Sequence, residues 1–260
     1  MGVYNPPKKS MLRRCVASVF QQSCQDIELL IYDDGSDRWV KEALRGMAEH
    51  HVGLRILTGK KNRGLGYALN RCIEAADGMY IARMDADDIA KPDRLQKQMD
   101  FLEEHPAYMW CGSNCSIYDE AGIWGESRRS AIPGTRDFLR YSPYIHPSVM
   151  FRSELFSEIR YSEKNRHRRC EDYELFLRLK YLGYRGYNIQ EPLLMYYQSR
   201  RGYHQRSLRE CLCEMSERMH GFYKLGLMWP AGWIYAMRPI AAWLMPAGAK
   251  KSIKEYRQEL

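Results

Sequence analysis

The stretch Met84-Asp85-Ala86-Asp87-Asp88 holds three carboxylates within four residues, directly after the apolar residues 79–82. Residues 79–82 predict a short buried strand. Aspartate is depleted in strand interiors, and adjacent like charges repel one another. An acidic cluster at the carboxyl end of a strand therefore favours a cation site, since Mg²⁺ and Mn²⁺ prefer oxygen ligands and often share them with substrate phosphates. The alternative is a solvated acidic turn that caps the helix beginning near Pro92.

Two more polar features follow predicted strands in the first hundred residues. Residues 27–32 predict a buried strand that ends in Asp33-Asp34-Gly35-Ser36-Asp37. Residues 54–57 predict another strand, and the glycine-rich loop 62–66 follows it at a helix N-terminus, where free backbone N–H groups could meet a phosphate. Each feature alone is weak evidence, because a polar turn with a helix cap would also explain Ser36 and Asp37, and the loop matches no standard nucleotide-binding pattern.

Strand and helix alternate four times over the first hundred residues. This alternation predicts an α/β fold, with a Rossmann-like, mostly parallel sheet and helices on both faces. Ligand sites in such sheets lie at the carboxyl ends of the strands, so we expect both acidic clusters and the glycine loop at one edge. Residues 1–6 predict only the end of a first strand, from which we expect that residues before Met1 are missing.

The second half of the chain adds two motifs. Residues 146–151 predict a strand that starts with an exposed His146. The segment Cys170-Glu171-Asp172-Tyr173-Glu174 predicts the start of an amphipathic helix. Acidic residues in a first helical turn also favour the helix dipole, so this segment alone does not indicate chemistry.

Residues 201–260 predict a basic, aromatic tail with a helix over 207–224 and an apolar stretch over 227–247. The apolar stretch approaches the roughly 20 residues that span a bilayer. Its prolines and aromatic residues better fit a helix in the headgroup region. The alternative is a helix packed on the domain or on a partner. Four basic residues follow the apolar stretch and would bind anionic lipid: Lys250, Lys251, Lys254 and Arg257.

Composition and charge limit the function classes. The chain is 45% hydrophobic and 28% charged, as expected for a globular protein with a full core. From Arg200 onward there are 11 Lys/Arg against 5 Asp/Glu, which favours an anionic partner. We expect lipid rather than nucleic acid, because the aromatic residues of the tail are mixed with Leu, Met and Ala. Eight scattered cysteines predict reduced cytosolic thiols rather than a zinc site.

Six ordered motifs resemble those of family 2 glycosyltransferases of the GT-A fold, especially small bacterial enzymes that build surface polysaccharides. The resemblance covers residues 1–200, with a nucleotide-binding half (1–104) and an acceptor half (105–200). The motifs are Val3-Tyr4-Asn5, Asp33-Asp34-Gly35-Ser36, Asn62-Arg63-Gly64, residues 82–88 with Pro92, Arg94 and Leu95, His146-Pro147-Ser148, and Glu171-Asp172-Tyr173.

The resemblance implies the following nucleotide-binding residues. Tyr4 would stack on the uracil of a UDP-sugar, and Asp34 would accept a hydrogen bond from that base. Asn62 and Gly64 would lie near the nucleotide and its phosphates, and Asp85 would contact the ribose or the donor sugar.

The resemblance also implies the residues around the reaction. Asp87 would bind Mn²⁺ or Mg²⁺, and Asp172 would be the catalytic base with Glu171 beside it. His146 would lie near the metal or the acceptor, and Arg201 near the acceptor. A carboxylate that takes the proton of an acceptor hydroxyl, as that hydroxyl attacks the anomeric carbon, gives a single displacement with inversion. Spacing alone does not select Asp172 over its acidic neighbours.

Residues 198–201 stand where processive relatives carry a Gln-x-x-Arg-Trp motif, and Trp is absent here. This departure predicts a non-processive enzyme that adds one sugar to a saccharide or lipid-linked acceptor, peripherally at the cytoplasmic face of the membrane. Two other function classes stay open. One is a non-catalytic nucleotide-sugar or polysaccharide binding module. The other is a sugar nucleotidyltransferase, in which Lys8 and Lys9 would bind the phosphates.

Overall fold

The computed structural model describes residues 1–164, 169–200 and 207–245. Arg201 and the four tail cations lie outside the described residues. The chain begins with the predicted alternation of strand and helix, and its first three strands form a parallel sheet with β2 in the middle. The elements are β1 (Gly2–Val3), α1 (Lys9–Phe20), β2 (Leu29–Asp33), α2 (Arg38–Ala48), β3 (Leu54–Thr58) and α3 (Leu65–Glu74).

Helix α2 illustrates why these segments fold as they do. Its buried residues Val40, Ala43, Leu44 and Met47 repeat at the spacing of one helical face. They belong to the same apolar cluster as Ile31 of the central strand. Burial of such side chains contributes roughly 1.5–3 kcal/mol each, so the stripe holds α2 against the sheet and fixes the loop that precedes the helix.

A second, mixed sheet contains the remaining strands, in the order β4-β8-β6-β9-β5 with β7 paired to β6. Strands β6 and β9 are parallel, whereas β4–β8, β6–β8, β5–β9 and β6–β7 are antiparallel. The strands are β4 (Tyr80–Ala82), β5 (Ile89–Ala90), β6 (Trp110–Asp119), β7 (Gly122–Ser127), β8 (Met150–Arg152) and β9 (Gly186–Tyr197).

The prediction of one mostly parallel sheet is therefore wrong in one detail, because β4 belongs to the mixed sheet and not to the parallel one. It pairs antiparallel with β8, with Ala82 opposite Met150. An apolar run of four residues reveals a strand but not its partner, which lies about seventy residues later. The expected burial of this strand is also wrong, since Met79 and Ala82 are exposed and Tyr80 and Ile81 are only half-buried.

The expected strand with an exposed His146 is also wrong at its start. His146–Ser148 form a 3₁₀ turn, and the strand begins only at Met150. His146 is 6% exposed. Pro147 explains the turn, since its ring fixes φ and it has no N–H to donate to a strand ladder. Ser148 closes the turn by donating its backbone N–H to the carbonyl of Ile145 at 2.8 Å.

The second core lies between this sheet and five helices. It contains Trp110, Phe151 and Phe176, together with Phe222 and Ala236 from the last two helices. The last two helices therefore pack with their buried face on residues from the 105–200 part of the chain. No helix in the described part of the chain has the length and apolarity to cross a membrane. The helices not yet named are α4 (Arg94–Glu104), α5 (Asp137–Arg140), α6 (Glu171–Tyr181), α7 (Leu208–Lys224) and α8 (Trp233–Leu244). Helices α5 to α8 contribute to this core together with α3, whereas α4 packs on a separate, smaller cluster.

Candidate active site

One cleft of about 1100 Å³ receives residues from both halves of the chain. Its walls come from the loops after β1 and β3, the acidic stretch after β4, the 3₁₀ turn, and the start of α6. The sequence-predicted site residues in its lining are Tyr4, Asn62, Gly64, Asp85, His146, Glu171 and Asp172. Residues as far apart in sequence as Tyr4 and Asp172 thus share one surface.

Tyr4 is presented to the cleft by a tightly held loop. The next residue, Asn5, has φ of 42°, a left-handed conformation that Asn tolerates better than most residues. The Asn5 side-chain oxygen accepts a hydrogen bond from the backbone N–H of Asp37, and the Asn5 N–H donates to the Ser36 hydroxyl. Because the backbone is fixed and the Tyr4 side chain remains 52% exposed, its ring can stack on a flat ligand.

Asp34 holds the glycine loop in place. Its buried carboxylate accepts hydrogen bonds from the backbone N–H groups of Arg63 and Gly64 at 2.8 to 3.0 Å. Gly64 has φ of 98° at the N-terminus of α3, a conformation that glycine adopts without strain. Asp34 is not among the residues that line the cleft, so its contact with a base remains a prediction, while its contact with the loop is a feature of the fold.

The acidic stretch forms a compact carboxylate group. Side-chain oxygens of Asp85, Asp87 and Asp88 all lie within 4.8 Å of one another. Burial, reinforced by the charge of Asp85, raises the pKa of Asp87 to about 6. Asp88 accepts a hydrogen bond from the backbone N–H of Tyr197 at 2.8 Å, yet its buried Oδ2 has no partner among the described residues. Such a group fits a hard divalent cation such as Mn²⁺ or Mg²⁺.

Arg83 is a residue that the motif analysis left unassigned. It is buried, it lines the cleft, and its Nη2 lies 2.6 Å from the Asp85 carboxylate. Burial alone would lower the pKa of Arg83, but the carboxylate of Asp85 outweighs it and raises the pKa. The guanidinium therefore stays charged and balances part of the acidic group. The sequence signal that could have identified Arg83 as a site residue is its position directly before the acidic motif.

The first turn of α6 brings two carboxyl groups to the cleft. Burial, with a contribution from Asp172, raises the pKa of Glu171 to about 7. Burial also raises the pKa of Asp172, an effect that the backbone N–H of Tyr173 and the charge of Arg83 partly offset. A carboxylate of raised pKa is a stronger base, which suits the removal of a proton from a hydroxyl group.

His146 lines the cleft but lies outside the compact carboxylate group of the described residues. Its Nε2 is 2.7 Å from the hydroxyl of Tyr161. Burial, helped by the charge of Arg83, lowers the pKa of His146 well below its ordinary value, so the ring is neutral. Its role as metal ligand or acceptor contact remains a prediction.

Two solved structures resemble the fold at low sequence identity. S. aureus TarS 1-349 in complex with UDP-GlcNAc has a TM-score of 0.71 and 14% identity, over 96% of this chain and 76% of that one. The mannosyltransferase PcManGT from Pyrobaculum calidifontis, in complex with GDP-Man and Mn²⁺, has a TM-score of 0.65 and 18% identity, over 100% and 79%. Similarity at this level concerns the fold alone, and it confirms the expected GT-A class.

Two curated relatives are closer in sequence. EpsE of Bacillus subtilis (strain 168), whose name describes it as a glycosyltransferase, is 35% identical over 74% of this chain and 69% of its own. The amylovoran biosynthesis glycosyltransferase AmsE of Erwinia amylovora is 32% identical over 75% of this chain and 73% of its own. A family model described as "Glycosyl transferase family 2" matches residues 1–211. The chain therefore belongs to glycosyl transferase family 2, and it is a glycosyltransferase.

Proposed function

We propose that this enzyme transfers one sugar, with inversion and in a metal-dependent way, from a UDP-sugar to a saccharide or lipid-linked acceptor in surface polysaccharide synthesis. The observation that carries the proposal is the convergence of Tyr4, Asp85 and Asp172 on one cleft, with Asp87 and Asp88 grouped around Asp85 although neither lines the cleft. The relative AmsE is named for amylovoran biosynthesis, and the neighbour TarS was solved with UDP-GlcNAc. The name of AmsE supports a polysaccharide product, and the complex of TarS supports a nucleotide-sugar donor.

The donor side uses groups with distinct tasks. The Tyr4 ring stacks on the base, and Asp34 holds the loop of residues 62–66 near the nucleotide and its phosphates. Asp85, oriented by Arg83, contacts the ribose or the donor sugar. Asp87 would hold Mn²⁺ or Mg²⁺ at the carboxylate group, and the cation would supply positive charge that stabilises the diphosphate leaving group.

The acceptor side requires a single base. Asp172 takes the proton of the acceptor hydroxyl while its oxygen attacks the anomeric carbon from the face opposite the diphosphate. Burial raises the pKa of Asp172, which matches this task, and Glu171 lies beside it in the same helical turn. No covalent intermediate is needed, so the product has the inverted anomeric configuration.

A panel of nucleotide sugars tests the proposal. We expect one UDP-sugar to raise the melting temperature by about 2 °C or more in the presence of Mn²⁺, because a ligand that binds only the folded state stabilises it. The same compound should release UDP slowly, and chelation of the metal should abolish both effects. Stabilisation by GDP-sugars alone would contradict the uridine assignment. Binding of a UDP-sugar with no hydrolysis, and no transfer to any saccharide, would favour the binding module.

We propose further that the exposed face of α8 rests on an anionic membrane at the cytoplasmic face. Along this helix Trp233, Ile234 and Met237 turn outward, and Ile234 is 71% exposed. Trp229, before the helix, is 85% exposed. Arg238 lies on the same exposed face, and the tail cations follow the end of the helix. An exposed apolar face with aromatic residues and adjacent cations is typical of interfacial helices.

Replacing Trp233, Ile234 and Met237 together with Ser is expected to lower partitioning onto phosphatidylglycerol vesicles about tenfold or more. Partial burial of three large apolar side chains contributes more than the roughly 1.4 kcal/mol that a tenfold change requires. The control replaces three other exposed apolar residues far from α8 in sequence, Val52, Ile123 and Ile132, with Ser. Vesicle sedimentation measures both triple variants. Equal losses in the two, or no loss in the α8 variant, would contradict membrane docking.

A further inference from the structure

We infer that Arg129 forms a subsite for an anionic group, a carboxylate or a phosphate, carried by the acceptor. This inference rests on the proposed function and adds the chemical class of the acceptor. Arg129 follows strand β7 and lines the cleft together with Tyr141, Ser142 and Gln198. All four residues belong to the acceptor half, whereas the predicted donor contacts come from the nucleotide-binding half.

The Arg129 side chain is held in one position. Its Nη1 donates hydrogen bonds to the Ser127 hydroxyl and the Arg128 carbonyl, both at 2.9 Å. The guanidinium carbon lies 4.7 Å from the centre of the Tyr141 ring, a cation–π distance. The Arg129 backbone N–H donates to the side-chain oxygen of Asn114 at 2.9 Å. A ligand therefore meets an ordered cation and does not have to immobilise a flexible side chain.

The charge of Arg129 has no internal counterpart. Of the described cations in the cleft wall, Arg83 and Arg129 are the two that are not exposed. Arg83 is paired with Asp85. Arg129 has no carboxylate within salt-bridge distance in the described part of the chain, and its buried Nε has no partner there. A partly desolvated cation without a counter-charge is unfavourable, and an anionic ligand would relieve this cost.

The free groups of the guanidinium indicate the ligand class. Both side-chain hydrogen bonds of Arg129 use Nη1, and Nε is buried away from solvent, so Nη2, which makes no hydrogen bond within the described residues, is the group available to a ligand. Its N–H groups can form charge-assisted hydrogen bonds with a carboxylate or a phosphate. A uronic acid residue of the acceptor or the phosphate of a lipid-linked acceptor would each provide such a group.

The experiment uses the full chain with saturating UDP and Mn²⁺, so that the nucleotide side is filled. The probes are methyl β-glucuronide and glucose 6-phosphate, with methyl β-glucoside as the neutral reference, and binding is followed by NMR titration. We expect at least one anionic probe to bind about tenfold more tightly than the neutral one, as a charge-assisted hydrogen bond provides. Arg129→Gln should remove this preference, and Arg129→Lys should retain part of it.

Arg128→Gln is the matched control, because Arg128 is 76% exposed at its side chain and pairs with Glu126. It should keep the wild-type preference. A preference for the glucuronide supports a uronic acid acceptor, and one for the phosphate supports a lipid-linked phosphate. An unchanged preference in Arg129→Gln, or equal binding of all three probes to wild type, would overturn the subsite. Displacement of the probe by UDP would overturn its assignment to the acceptor.

Failure of the subsite can be told apart from failure of the proposed function. UDP binding to Arg129→Gln should equal that of wild type, since Arg129 lies in the acceptor half. If wild type binds no UDP, the proposed function fails, while the probe titrations without UDP still test the subsite. The melting temperature of each variant shows whether it folds. If Arg129→Gln does not fold, the loss of preference is measured in Arg129→Lys instead.

Discussion

Asp172→Asn is expected to lower kcat for sugar transfer about 10³-fold, with little change in the KM of the donor. Positioned general bases contribute roughly 10² to 10⁴ in rate, and asparagine keeps the shape of the side chain without accepting a proton. The donor contacts lie on other elements of the cleft, so binding of the nucleotide sugar should persist. Steady-state kinetics with varied donor and acceptor would separate kcat from KM.

The pH dependence follows from the raised pKa values of the α6 carboxyl groups. Burial raises the pKa of Asp172 and brings that of Glu171 to about 7. The base must be ionised to act, so kcat/KM should fall as the pH drops, with an acid limb above the ordinary range of a carboxyl group. A raised pKa also means that ionisation of Asp172 destabilises the folded state. Asp172→Asn should therefore melt at or above the wild-type temperature at pH 8.

The control for this prediction is Glu174→Gln, which removes a carboxylate from the same helical turn. Glu174 pairs with Arg178 at 2.8 Å and is not part of the cleft lining. Its replacement should leave kcat unchanged. Wild-type turnover by Asp172→Asn would exclude Asp172 as the base, and an equal loss in Glu174→Gln would indicate damage to α6 instead of lost chemistry.

Asp87→Ala is expected to lower transfer by at least about 10²-fold and to remove the Mn²⁺-dependent stabilisation by the donor. Asp87 lies in the compact carboxylate group, and groups that stabilise developing charge typically contribute 10² to 10³ in rate. Burial and the charge of Asp85 raise the pKa of Asp87 to about 6, so its ionised carboxylate destabilises the metal-free protein. Asp87→Ala removes this unfavourable charge. The variant should therefore fold at least as stably as the metal-free wild type.

Titration with Mn²⁺, followed by electron paramagnetic resonance, measures the affinity directly. Asp77→Ala serves as the control, since Asp77 is an exposed carboxylate paired with Arg55 at 3.0 Å. It should bind Mn²⁺ as wild type does. Unchanged Mn²⁺ affinity in Asp87→Ala would contradict its assignment as a ligand and would direct attention to Asp85 and Asp88.

The acidic motif and the α6 motif could be located from sequence because their signals are local. Each is a polar cluster placed at the end of an apolar run, and the structure brings Asp85 and Asp172 to one cleft. Asp88 belongs to the predicted acidic cluster, but the sequence assigned it no role of its own. Its orientation depends on a hydrogen bond from Tyr197, more than a hundred residues later, which no local pattern reveals.

Local sequence patterns were enough to predict the alternation of strands and helices in residues 1–74, the position of the acidic motif, and the family. The strands and helices depend on local propensity and on hydrophobic periodicity, which are properties of neighbouring residues. Three features could be seen only in the folded chain: β4 pairs antiparallel with β8, His146 is buried and neutral, and Arg129 lies in the cleft without a carboxylate partner among the described residues. Strand partners, burial and charge pairing depend on segments far apart in the chain. Their free energies are realised only when those segments meet.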